Sequence, residues 1–138
     1  MAKLLIIDDT ENNRILLSRR LKPRGHEILL AEDAEQGIAT ARAEKPDLIF
    51  MDVGLPGMDG WAATRVLKDD AATRAIFIIA LTAHAMSGDR EHALAAGCDE
   101  YESKPINFQL LFEKVDTLLA SRGIITTPSA PRPSAPPP

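Results

Sequence analysis

The sequence predicts a doubly wound α/β fold built on a parallel sheet, and three observations carry that prediction. Strand patterns and helical patterns alternate five times along the chain. The apolar runs at 4–7, 48–51 and 76–81 lack polar alternation, as strands buried on both faces do. Polar groups gather at the carboxyl ends of these runs, where open parallel sheets bind ligands.

Taken in order, the first strand starts at about residue 3 and runs into Asp8 and Asp9. A helix over about 11–21 follows, closed by Pro23 and Gly25. A weaker strand covers Glu27 to Ala31, and a helix lies near 34–44. The 48–51 run ends in Asp52 and leads into a turn-rich loop with Gly54, Gly57 and Gly60, suited to tight turning and close approach to a ligand. Helices are expected near 60–69 and 87–96, ending near Asp70 and at Gly97. Between them the 76–81 run ends in Thr82. A last short strand, 99–103, ends in Ser103-Lys104-Pro105. The final helix is the clearest: Phe108, Leu111, Phe112, Val115, Leu118 and Leu119 form one stripe, with Asn107 as N-cap and Gly123 as stop. Right-handed crossovers put helices on both faces of the sheet.

A chain of 138 residues fits one domain with a substantial core. The formal net charge of −4, without a basic block, argues against direct nucleic-acid binding. The single Cys98 excludes an internal disulfide and fits a reducing compartment. No apolar stretch approaches the roughly 20 residues of a membrane span. The first strand leaves no room for a signal peptide. A cytoplasmic location is therefore expected. Thr126 to Pro138 holds six of the ten prolines and little that is apolar beyond alanine, too little to offset its ordering entropy. The expected organisation is a folded domain over 1–122 and a Pro-rich, disordered tail over 123–138, either a solvated end or a docking or linker segment.

The strand ends carry the chemistry. Asp52 is the candidate nucleophile, since a carboxylate oxygen can attack phosphorus and form an acyl phosphate. Asp8 and Asp9 beside it would raise one another's pKa unless a cation intervened, and few hard oxygen ligands favour Mg²⁺, with Mn²⁺ as a substitute. The metal would bridge Asp9, Asp52 and a phosphoryl oxygen, with Asp8 acting through water; alternatively one of the two acids caps the helix that starts near Glu11. Lys104 would supply a point charge to a phosphoryl group and would pair with Asp52 in its absence. Pro105 makes a cis peptide accessible there. Thr82 offers a hydroxyl to a phosphoryl oxygen.

These stretches, residues 4–9, 46–60, 79–85 and 96–106, together resemble the receiver domain of two-component response regulators, the CheY-like family. The resemblance covers about residues 3–121. It is greatest to receivers of hybrid kinases and to stand-alone regulators of the DivK type. It implies a flavodoxin-like three-layer fold with strand order 2-1-3-4-5. It implies that Asp52 accepts a phosphoryl group from a phosphohistidine on a histidine kinase or phosphotransfer protein. Asp8, Asp9, Asp52 and the Gly54 carbonyl would hold Mg²⁺. Thr82, the Ala83 N–H and Lys104 would contact the phosphoryl oxygens. Tyr101 would be the switch aromatic, turning inward as Thr82 moves, and the face around 82–110 would be read by a downstream protein. Gly54, two residues after Asp52, and His84, two after Thr82, are candidates for tuning the phosphoryl lifetime by exposing or covering the acyl phosphate.

Such a chain would be a switch without turnover on an external substrate, acting as monomer or weak dimer. An N-terminal Met followed at once by a strand favours a stand-alone regulator. A phosphorelay intermediate or a fragment of a hybrid kinase is the alternative. A Mg²⁺-dependent phosphatase with an Asp nucleophile is a poorer reading, because no insertion supplies a substrate pocket. A flavodoxin-like cofactor binder is poorer still, because no glycine-rich phosphate loop follows the first strand.

Overall fold

The computed structural model describes residues 2–82 and 89–123, without the side chains of residues 89 and 90. Ala83, His84 and nearly all of the Pro-rich segment lie outside the described residues. Five parallel strands, β1 (Lys3–Ile7), β2 (Glu27–Ala31), β3 (Leu48–Asp52), β4 (Phe77–Thr82) and β5 (Glu100–Ser103), form one sheet in the order β2-β1-β3-β4-β5. The helices are α1 (Glu11–Leu21), α2 (Ala34–Glu44), α3 (Gly60–Asp69), α4 (Asp89–Ala96) and α5 (Phe108–Ala120).

The absence of polar alternation in β1, β3 and β4 has the expected cause: both faces of the sheet are covered. Leu5, Ile7, Ile49, Met51, Ile78 and Ala80 point to one side, where Ile38, Ala63, Leu67 and Ala93 bring α2, α3 and α4 against them. Leu4, Ile6, Leu48, Phe50, Ile79 and Leu81 point to the other, where Leu17, Leu21, Leu111, Val115 and Leu119 bring α1 and α5. Burying a side chain of this size contributes about 1.5–3 kcal/mol, so these two layers dominate the stability. The edge strands β2 and β5 are more exposed, which is why their patterns in the sequence are weaker.

Several boundaries differ from the expected ones. Strand β4 begins at Phe77 because the Ile76 N–H is bonded to the Thr73 carbonyl in a preceding turn. Asp52 lies within β3, in register with Leu81, rather than beyond it. Neither neighbouring acid caps α1; Thr10 is the N-cap residue, and its own N–H donates to Asp8 Oδ1 at 2.9 Å. Asn107 caps α5 through its side chain, as anticipated, but the helix ends at Ala120, three residues before Gly123. Gly123 adopts a positive φ in the turn that follows.

Candidate phosphoryl-transfer and metal site

The strand order brings the carboxyl ends of β1, β3, β4 and β5 side by side, and the groups that follow them converge. One carboxylate oxygen from each of Asp8, Asp9 and Asp52 lies within 4.8 Å of the others. Asp8 and Asp52 are buried, at 0% and 6% exposure, whereas Asp9 is exposed. The Lys104 ammonium sits 3.5 Å from Asp8 Oδ2 and 3.5 Å from Asp52 Oδ1. It is therefore shared between two acids rather than paired with Asp52 alone.

The electrostatics of Asp52 follow from this crowding. Burial pushes its carboxyl above the ordinary range, and the Asp8 and Asp9 charges push in the same direction. The Gly54 N–H, donating to Oδ1 at 3.0 Å, and the Lys104 ammonium act in the opposite sense. Three acids against one nearby ammonium leave an excess of negative charge. Three hard carboxylates with one side open to solvent, at Asp9, match what a small divalent cation that keeps its waters requires.

Local backbone geometry fixes Asp52. A Cβ on Gly60 would fall 2.4 Å from the Asp52 carbonyl oxygen and 2.6 Å from Val53 Cα, so only glycine lets α3 start against the end of β3. Its close approach is thus to the chain itself, not to a ligand. A Cβ on Gly54 would meet only Asp52 Oδ1, at 3.7 Å, so that position accepts a side chain. Of the three loop glycines only Gly57 has a positive φ, 76°.

The remaining site residues are close by. Thr82 is buried at the end of β4, and its carbonyl accepts the Lys104 N–H at 2.7 Å. The Lys104–Pro105 peptide bond is cis. Tyr101 is half-buried on β5, in register with Ala80, and packs against the core under α2, α3 and α4. Lys114 from α5 donates to its carbonyl at 2.6 Å and lies 5.5 Å from its ring centroid. Trp61, the second residue of α3, packs against the core under α2, α3 and α4, with its ring centroid 6.2 Å from that of His92 on α4.

Two residues of α1 belong to the site and were not picked out in the sequence. The Asn13 amide donates to Asp8 Oδ1 and Oδ2, at 3.4 and 3.3 Å, and Arg14 Nη1 donates to the Asp8 carbonyl at 2.6 Å. The signal was available: Asn13 stands in the first turn of α1, where side chains tilt back toward the helix N-terminus and hence toward Asp8. A groove of about 260 Å³ opens from Asp8 and Lys104 along Asn13, Leu16, Pro105 and Phe108.

The response regulator receiver domain family matches residues 4–116. The chain is 38% identical over 120 residues to protein PilH of Pseudomonas aeruginosa, covering 87% of this chain and 99% of PilH. It is 37% identical over 116 residues to the polar-differentiation response regulator DivK of Brucella anthropi, covering 84% of this chain and 94% of DivK. Among solved structures, the receiver domain of sensor histidine kinase PA1611 from Pseudomonas aeruginosa PAO1, with magnesium coordinated in its active site cleft, superposes with a TM-score of 0.80 at 33% identity, covering 86% of this chain and 98% of that one. A CheY-like sheet order, a converging acidic cluster and these likenesses agree: the chain belongs to the response regulator receiver domain family.

Proposed function

We propose that Asp52 is the phosphoacceptor of a single-domain response regulator. An Asp52 carboxylate oxygen forms the O–P bond as the N–P bond of a donor phosphohistidine breaks, and the imidazole leaves with that electron pair. Asp8, Asp9 and Asp52, with the Gly54 carbonyl, would hold Mg²⁺, which when bound offsets the crowded carboxylates and draws charge from the phosphoryl oxygens. The observation that carries this reading is the buried Asp52 carboxylate within 3.5 Å of Lys104 and beside two further acids.

The chain's own residues do the rest. The Lys104 ammonium turns from Asp8 and Asp52 to a phosphoryl oxygen, and the Thr82 hydroxyl donates to another. The Ala83 N–H and His84, called for in the sequence, lie outside the described residues. Phosphorylation adds roughly −1.5 to −2 charge and three acceptor oxygens. As Thr82 moves toward them, Tyr101 fills the space, and a partner reads the altered face around 82–110. This is a population shift between two packings. The domain spans 1–122, and the segment 123–138 lies outside the switch. Gly54→Asn is expected to alter the lifetime of the acyl phosphate, because the new side chain would stand beside Asp52 Oδ1.

The phosphodonor, a histidine kinase or phosphotransfer protein, would seat beside α1. Leu16 is 46% exposed there and lines the apolar groove that runs up to Lys104. Leu16→Asp should slow transfer from a protein donor and leave labelling by a small phosphodonor intact.

The deciding experiment is intact-mass measurement after incubation with a small phosphodonor and Mg²⁺. The parent should gain one phosphoryl group, Asp52→Ala none, and chelation of Mg²⁺ should abolish the gain. A parent that stays unmodified, or an Asp52→Ala protein that is labelled equally, rejects the assignment.

A further inference from the structure

The Asp8 carboxylate is fully buried, and a buried charge is tolerated only when donors surround it. It has three. The Thr10 N–H reaches Oδ1 at 2.9 Å, the Lys104 ammonium reaches Oδ2 at 3.5 Å, and the Asn13 amide reaches both oxygens, at 3.4 and 3.3 Å. These donors are not equivalent. The Thr10 N–H is main chain and holds one oxygen only. Lys104 is shared with Asp52 and, if Asp52 is the phosphoacceptor, leaves Asp8 when the phosphoryl group arrives. Asn13 is the side chain that remains, and by spanning both oxygens it restrains rotation of the carboxylate.

The residue type matters as well. A lysine or arginine here would hold Asp8 equally well and compete with a cation for it. An amide orients the acid without adding charge. The neighbouring cationic side chain, Arg14, is directed instead to the Asp8 carbonyl, at 2.6 Å.

We propose that Asn13 is a positioning residue that holds the Asp8 carboxylate in the orientation needed for divalent-cation binding, and so sets the Mg²⁺ concentration at which Asp52 becomes reactive. This rests on the phosphoacceptor reading above and goes beyond it by giving α1 a part in metal affinity. Hydrogen-bond partners of ligating carboxylates typically change metal affinity by about 10–100-fold when removed, and the half-buried Asn13 belongs near the lower end of that range.

The test is a Mg²⁺ titration of the full chain by calorimetry, with the phosphorylation rate by a small phosphodonor followed across the same concentrations. The proteins are the parent, Asn13→Ala and Asn12→Ala. Alanine favours helix at either position, and Asn12 is exposed. The expected result is a Mg²⁺ dissociation constant about tenfold weaker for Asn13→Ala, with its phosphorylation rate returning to the parent value at high Mg²⁺, and Asn12→Ala like the parent. A merely structural role would lower the rate at every Mg²⁺ concentration. That outcome, or an unchanged Mg²⁺ affinity in Asn13→Ala, overturns the proposal while leaving the phosphoacceptor reading intact. A parent that binds no Mg²⁺ and gains no phosphoryl group overturns both.

Discussion

Each end of the sheet carries a polar cluster with buried members, and the two are assembled on opposite terms. At the carboxyl end, Asp8, Asp9 and Asp52 crowd around Lys104 and negative charge is in excess. At the amino end, Arg24 pairs with Asp116 of α5 at 2.9 Å and its guanidinium lies 4.3 Å from the Phe112 ring centroid. His26, 6% exposed, sits beside them. There the charges balance, and what is missing is hydrogen bonding. Among the described residues, both ring nitrogens of His26 and Nε of Arg24 have no partner. The first cluster carries an excess of like charge, which costs stability. The second ties α5 to the end of α1 and the start of β2.

The sharpest way to break the comparison is Asp52→Asn. It should abolish phosphorylation while raising stability in chelator by on the order of 1 kcal/mol, since it removes one of three crowded charges and keeps an acceptor for the Gly54 N–H. Loss of stability in denaturant titrations would mean that the carboxyl end is not strained by its charge. The mirror change, Arg24→Ala, should cost about 1–3 kcal/mol by removing the charged hydrogen bond to Asp116 and uncovering Phe112. It should leave Mg²⁺ affinity and phosphorylation as they are. A change in either would show that the two ends are coupled.

Lys104→Ala should enlarge the thermal shift produced by Mg²⁺, because the acids lose the ammonium that shields them. A smaller shift than in the parent would assign Lys104 to holding the site together. The finest effect is a pH dependence at the amino end. Burial and the neighbouring Arg24 hold the His26 imidazole below its usual 6.5, so the unfolded chain takes up its proton first. The His26 contribution is complete above pH 6.5 and is lost as pH falls below it toward the depressed folded value. The slope from this single group cannot exceed about 1.4 kcal/mol per pH unit. His26→Gln should flatten stability between neutral pH and pH 5.5 while retaining the fold. An unchanged slope would move the effect to other groups.

The sequence was most legible where one physical constraint acts alone. Double burial makes β1, β3 and β4 unbroken apolar runs, and single-sided burial makes α5 a clean stripe. The candidate acids were legible because Asp8, Asp9 and Asp52 interrupt such runs at their ends. Pairwise geometry was not. That Gly60 meets the Asp52 carbonyl, that Asn13 reaches Asp8, and that Arg24 meets Asp116 across 92 residues of chain are consequences of crossing angles and of where α1 and α5 lie on the sheet. Periodicity carries no trace of them. The strand order itself came from family likeness, since alternation fixes the number of strands and not their sequence across the sheet.

The Lys104 amide and the Thr82 carbonyl form a single rung of the β4–β5 ladder, 2.7 Å long. The residues that carry the cation and the hydroxyl are therefore fastened together at the main chain, while the bond places no restraint on their side-chain torsions. A main-chain displacement of either residue is felt at once by the other, and through the next residues of β5 by the strand that carries the aromatic ring. If Asp52 is the phosphoacceptor, this main-chain tie acts alongside the exchange between Thr82 and Tyr101, because Lys104 and Tyr101 share one short stretch of backbone.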